Sequence, residues 1–326
     1  MTPLRVALVH RYRWPDVRRG GERYVDDLAW YLEEAGHSVD VTTGGRPLLG
    51  RRFDVVHTFA PTGVLAGRLA GRRTVFTVLG HKRRRYFGRR ELASAWAGAR
   101  AAHTVTALSR SAAHVAEAVL GRTVETLSPG VRLDRFPPAL GARTGPPRVL
   151  FASDASQRWK AVDVALAAFG HILEKHPDAR FWLGGPGDHT WALEAIGSAR
   201  DRVVAATDVL GVGAPDDVPR RYRDATVTVL VSAEEAFGLV PVESLASGTP
   251  VVVSDQGGLP EIVDDPSVGR IARHGDPTST AQALLDAIDL ARDPGTPARC
   301  AEHARRWGWR EAAGPAHERL YRQLLG

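Results

Sequence analysis

Apolar runs of strand length alternate with amphipathic runs of helix length along this chain. In the first half the strand-like runs are residues 5–9, 39–42, 55–58, 74–78, 104–107 and 124–127. Helical stretches separate most of them. Residues 22–35 form one, and Gly36 stands where a helix-ending left-handed residue belongs. Parallel neighbours need a long crossover, and a helix supplies it while covering a face of the sheet. The expected fold class is therefore α/β, a doubly wound parallel sheet that takes ligands at the carboxyl ends of its strands.

The stretch Pro137-Pro-Ala-Leu-Gly-Ala-Arg-Thr-Gly-Pro-Pro147 carries no period and reads as a linker. After it the alternation restarts. Strands are expected at 148–152, 180–183, 226–231 and 251–254, and helices at 162–176, 190–199, 218–224, 239–247 and 277–291. The tail, 309–325, is amphipathic and helical in pattern. A length of 326 residues suffices for two cores. A cleft between two such domains is the expected ligand position.

Composition narrows the class further. No apolar run reaches membrane-span length, and the N-terminus reads as a first buried strand rather than a leader. Cys300 is the single cysteine, which rules out an internal disulfide and a cysteine-based zinc site. A cytoplasmic location is the default expectation. The net charge is +6, carried almost wholly by arginine, since Lys82, Lys160 and Lys175 are the only lysines. The basic run Lys82-Arg-Arg-Arg85, continued by Arg89 and Arg90, suits a solvated face, a peripheral anionic-membrane contact or a phosphorylated ligand. No nucleic-acid motif accompanies it.

The chemistry concentrates in Ser232-Ala-Glu-Glu235-Ala-Phe-Gly238-Leu-Val-Pro-Val-Glu243-Ser-Leu-Ala-Ser-Gly248. Two carboxylates flank a glycine turn at the start of a short helix. On a helix their spacing spans roughly 12 Å, too far to share a proton. Glu235 is expected in the turn and Glu243 on the helix. Helix N-terminal amides take an anion, and carboxylates take hydroxyl protons. The segment therefore suits a ligand with both phosphate and polyol parts.

Glu235-Ala-Phe237-Gly238-Leu239-Val240-Pro-Val-Glu243 resembles the signature of the family 4 retaining nucleotide-sugar glycosyltransferases. The resemblance continues through Gly248-Thr-Pro250 to Gly257-Gly258-Leu-Pro-Glu261. Gly20-Gly21-Glu22, Asp54-Val-Val-His57 and Ser128-Pro-Gly130-Val131 resemble other family segments. The implied fold is GT-B, two Rossmann-like doubly wound domains with a C-terminal helix crossing back to the first. The implied divisions are residues 1–140 for acceptor, 141–308 for nucleotide sugar, and 309–326 for the returning helix.

The resemblance also implies roles. Glu243 binds the ribose hydroxyls, and Glu235 holds hydroxyls of the donor sugar. The amides of Phe237, Gly238 and Leu239 contact sugar or diphosphate. Gly20 and Gly21 let backbone approach the diphosphate from the first domain. Lys160 corresponds to the family lysine that neutralises the diphosphate as the glycosidic bond breaks. Ala161 replaces the glycine that usually follows it, a mild change, and Ser153-Asp154 replaces a Gly-Arg. Arg158 is the expected substitute for that missing charge. His81, two residues past the usual family histidine position, is placed near the reaction centre. Gly185, in Gly184-Gly-Pro-Gly187-Asp188, gives the nucleotide base room to approach.

The donor is expected to be UDP- or GDP-linked, and the acceptor a hydroxyl of a small molecule or lipid. No cofactor beyond that co-substrate is implied. No Asp-x-Asp site for a divalent ion stands out. Dinucleotide, Walker and nucleophile-elbow signatures are missing as well. A nucleotide-sugar 2-epimerase on a related fold, or a non-catalytic nucleotide-sugar-binding subunit, shares most of these features.

Overall fold

The computed structural model describes the chain except residues 1, 15, 17–19, 45–47, 49 and 81–87, and the side chain of residue 72. The chain divides into two compact units. One comprises Met1–Arg132 with Arg306–Gly326, and the other Leu133–Arg305.

The first unit runs β1 (Arg5–His10), α1 (Gly20–Glu34), β2 (Ser38–Thr43), β3 (Phe53–Thr58), α2 (Pro61–Ala70), β4 (Gly71–Val78), α3 (Arg89–Ala101), β5 (Thr104–Ala107), α4 (Arg110–Leu120) and β6 (Glu125–Thr126). Its sheet is parallel, in the order β2-β1-β3-β4-β5-β6. Strands covered on both faces read as near-continuous apolar runs. Accordingly Val6, Ala7, Leu8 and Val9 of β1 are wholly buried. The helices carry local stop and start signals. Ser109 accepts a hydrogen bond from the Ala112 amide at the start of α4, and Gly121, at φ 63°, ends it.

The second unit runs β7 (Arg148–Phe151), α5 (Val162–Lys175), β8 (Arg180–Leu183), α6 (Thr190–Ala195), α7 (Arg200–Ala205), β9 (Thr207–Val209), α8 (Asp217–Asp224), β10 (Val227–Leu230), α9 (Leu239–Ala246), β11 (Val251–Ser254), α10 (Leu259–Ile262), β12 (Gly269–Ala272), α11 (Pro277–Ala291) and α12 (Thr296–Ala304). Its parallel sheet has the order β12-β11-β10-β7-β8-β9. The strand order reverses between β7 and β10, with Val227 opposite Val149. Such a reversal leaves a crevice outside the carboxyl ends of the two strands. Phe151, Phe169, Phe181, Val229 and Leu284 are all fully buried in the core around this sheet.

Two strands lie where the sequence pattern predicts none. β9 has three residues, Thr207–Val209, and β12 alternates around an exposed Ile271. Edge strands this short carry no apolar run. The irregular stretch at 137–147 contains no helix or strand.

The chain returns to the first unit at Arg306 and closes with α13 (Gly314–Leu325), preceded by a widened π-type turn at Trp309–Ala313. This helix is held by buried polar contacts. The Tyr24 hydroxyl meets His317 Nε2 at 2.7 Å, and the Tyr321 hydroxyl meets His57 Nδ1 at 2.6 Å. Among the described residues, no helix is long and apolar enough to cross a membrane.

Candidate functional site

The loops after β7 and β10 meet at the reversal of the second sheet. The Ala233 amide donates to the Trp159 carbonyl at 2.8 Å and ties them together. Lys160 ends a single 3-10 turn after β7, and Glu235 lies in the loop after β10. Lys160 Nζ donates to Glu235 Oε2 at 2.5 Å. Both side chains keep some solvent contact, 13% and 16% exposed. The same ammonium sits 4.1 Å from the Trp159 ring centroid, and Trp159 is itself exposed. A carboxylate on one side and an aromatic face on the other fix the cation in place.

Glycines shape the loop that carries Glu235. Gly238, at φ 116°, caps α9, in a backbone region that side-chain-bearing residues rarely enter. As a glycine, this N-cap residue offers no side chain to the first amides of α9. A helix start of this kind presents N–H groups to an anion. Gly257, at φ 63°, packs against the Glu235 carbonyl. A Cβ there would fall 2.1 Å from that oxygen. The neighbouring Gly258 amide donates to the same carbonyl at 2.8 Å.

Glu243 lies on α9, and its carboxylate is buried. Tyr222, on α8, donates its hydroxyl to Glu243 Oε2 at 2.9 Å. The Ser244 hydroxyl donates to the Thr249 carbonyl at 3.0 Å and shares a hydrogen bond with the Thr228 hydroxyl at 2.7 Å, which locks α9 onto β10. Phe237 is buried beside it, while Leu239 is partly exposed.

The remaining residues singled out in the sequence lie as follows. Arg158 shares the Lys160 turn, but its guanidinium stacks 4.6 Å from the Trp191 ring centroid. Asp154 accepts hydrogen bonds from the Ser156 amide and hydroxyl and from Gln157, so it builds the turn itself. Gly185 is required by packing, since a Cβ there would fall 2.0 Å from the Ser153 carbonyl oxygen. Asp188 accepts from the Thr190 amide and hydroxyl, and these hydrogen bonds hold its carboxyl below the usual range. Gly20 and Gly21 open α1 in the first unit, where a Cβ on Gly21 would fall 3.1 Å from Leu79. His81 and residues 82–85 lie outside the described residues.

Three residues escape a reading by motif. Tyr222 fixes Glu243, and Trp159 flanks Lys160. Arg221 donates to the Gly211 carbonyl at 2.6 Å and the Leu210 carbonyl at 2.9 Å. It also reaches the Gly184 carbonyl at 3.3 Å, so one side chain joins the loops after β8 and β9. The contacts of Tyr222 and Arg221 are long-range and carry no local sequence signal.

Residues 146–289, within the second unit, match the family model for glycosyl transferases group 1. A D-inositol 3-phosphate glycosyltransferase of Streptomyces avermitilis is 37% identical over 212 residues, which are 58% of this chain and 45% of that protein. One from Streptomyces bingchenggensis is 36% identical over 211 residues, 58% of this chain and 46% of that protein. The chain thus spans about half the length of the curated relatives it matches. Among solved structures, a sucrose-phosphate synthase from Thermosynechococcus elongatus superposes with a TM-score of 0.78 at 20% identity, covering 98% of each chain. AviGT4, a glycosyltransferase involved in avilamycin A biosynthesis, gives 0.69 at 23% identity, covering 99% of this chain and 98% of that one. These likenesses establish the GT-B fold of two Rossmann-like units.

Proposed function

We propose that this protein is a retaining, metal-independent glycosyltransferase of family 4. It moves a hexose-type sugar from a UDP- or GDP-linked donor to a hydroxyl of a small-molecule or lipid acceptor. The observation that carries this reading is the Lys160–Glu235 pair beside the uncapped start of α9, with Glu243 further along the same helix.

In this reading the diphosphate rests on the first amides of α9 and takes the Lys160 ammonium. Glu235 then exchanges its lysine partner for hydroxyls of the donor sugar. Glu243, held by Tyr222, takes the ribose hydroxyls. The acceptor oxygen attacks the anomeric carbon from the face the diphosphate leaves. One C–O bond forms as the sugar–phosphate bond breaks, and the acceptor proton passes to a diphosphate oxygen. Lys160 and the helix amides stabilise the charge that develops there. His81 and Arg158 belong to the reading as further groups near the donor. The protein works in the cytoplasm.

The test combines binding and turnover. UDP- and GDP-sugars are incubated with an acceptor panel that begins with inositol phosphate, for which the curated relatives are named. NMR reads the anomeric configuration of the product, and retention is expected. Donor incubated alone yields no epimer. The reading fails if Lys160→Ala and Glu243→Ala both bind nucleotide diphosphate as tightly as wild type.

A further inference from the structure

A cavity of about 230 Å³ opens in the first unit, and among the described residues none assigned to the donor lines it. It lies where β3 and β4 end, walled by α3 and α4. Phe59, Phe76, Ala95 and Ala116 form buried walls. Gly80 and Glu91 also line it and reach solvent, which marks its mouth.

Folded cores rarely leave voids larger than a water molecule, and an empty cavity destabilises in proportion to its size. Here small side chains keep the space open. Ala95 on α3 and Ala116 on α4 stand where longer side chains would fill it. Phe59 is fixed, since its ring stacks on His57 at 4.4 Å and meets Tyr24 edge-on at 5.1 Å. The position is also one where α/β sheets take ligands, at the carboxyl ends of strands beside the β1/β3 reversal.

We propose that this cavity seats a single aromatic ring bearing a hydroxyl. The ring lies against Phe59 and Phe76, and the hydroxyl stands at the mouth, where the Glu91 carboxylate accepts its hydrogen bond. Size sets the class. An apolar cavity of about 150 Å³ holds benzene. The larger volume here accommodates a ring with a substituent but not a long acyl chain. That the ring belongs to the sugar acceptor rests on the glycosyltransferase reading; its binding in the cavity does not.

The probe is 4-methylphenol, followed on the full chain by thermal shift and ligand-observed NMR, with UDP and GDP run in parallel. The phenol is expected to raise the wild-type Tm. Ala116→Leu and Ala95→Leu should each weaken its binding by about tenfold or more while leaving the nucleotide shifts unchanged. If one variant fails to fold, the other decides. Glu91→Gln, at an exposed position, should weaken 4-methylphenol several-fold and leave toluene unaffected. The proposal is overturned if wild type does not bind the phenol, or if both filled variants bind it undiminished. It is overturned equally if 1-octanol binds more tightly, or if Glu91→Gln treats phenol and toluene alike. Nucleotide binding without phenol binding removes this proposal alone, whereas the reverse result removes the donor reading.

Discussion

The Tyr222 hydroxyl donates to a carboxylate oxygen of Glu243 at 2.9 Å, and both side chains are buried. The contact joins α8 to α9 and sets the orientation of a charged group that burial would otherwise penalise. Tyr222→Phe removes the donor without changing the ring. A hydrogen bond to a charged group contributes roughly 1.5–3 kcal/mol. The expected result is a fall of about tenfold or more in nucleotide affinity by calorimetry, with a Tm only a few degrees lower. Unchanged affinity would mean that Glu243 is held by its other contacts.

Lys160 and Glu235 form an ion pair. Glu235→Gln frees the ammonium from its counter-charge while leaving a hydrogen-bonding amide. Nucleotide diphosphate without a sugar should then bind at least as tightly as to wild type. Turnover of nucleotide sugar should drop by roughly tenfold or more, because the charged acceptor for its hydroxyls is gone. Isothermal titration and steady-state rates separate the two effects. A parallel loss in both would place Glu235 in phosphate binding through Lys160 alone.

Much of the architecture is written in local pattern. The strands of the two sheet centres are buried on both faces, so their apolar runs are plain in the sequence, as in Val251–Ser254. β12 and β9 are not, because an edge strand exposes part of its length and needs few residues. The turn-then-helix placement of Glu235 and Glu243 follows from Gly238 and from the helix rise. The Tyr222–Glu243 contact does not, since it spans 21 positions between separate helices and no spacing rule links them. The backbone at Ala161 is equally silent in the sequence.

Ala161 has φ 54° and ψ 45°, and among the described residues it is the only non-glycine with a positive φ. A Cβ in this region costs roughly 1–2 kcal/mol. A replacement expected to be mild therefore carries strain, directly after Lys160 and at the start of α5. Ala161→Gly relieves the strain but adds freedom to the unfolded chain, for a net gain of about 0.5–1 kcal/mol. Differential scanning calorimetry should show a Tm increase of roughly 1–4 °C. A lower Tm would show that packing around the buried methyl outweighs the backbone term.

Buried histidines on and beneath the C-terminal helix are expected to make the first unit acid-sensitive. His317 is fully buried, and burial pushes its pKa down to about 4, while the same cause holds His57 well below the usual value. The Ala313 carbonyl can only accept, so His317 Nδ1 carries the proton and Nε2 accepts from Tyr24. Both rings are thus neutral when folded, whereas the unfolded chain takes up protons near pH 6.5. The stabilisation is complete above that pH and is lost as pH falls from about 6.5 toward 4. For His317 the loss by pH 4 is on the order of 3 kcal/mol, from 1.36 kcal/mol per pKa unit. Carboxylates titrate over the lower part of the same window, so the measurement compares wild type with His317→Gln. The variant should be less stable at pH 8, and its stability should fall less between pH 7 and pH 5. Parallel pH profiles for the two proteins would mean that His317 does not set the acid response.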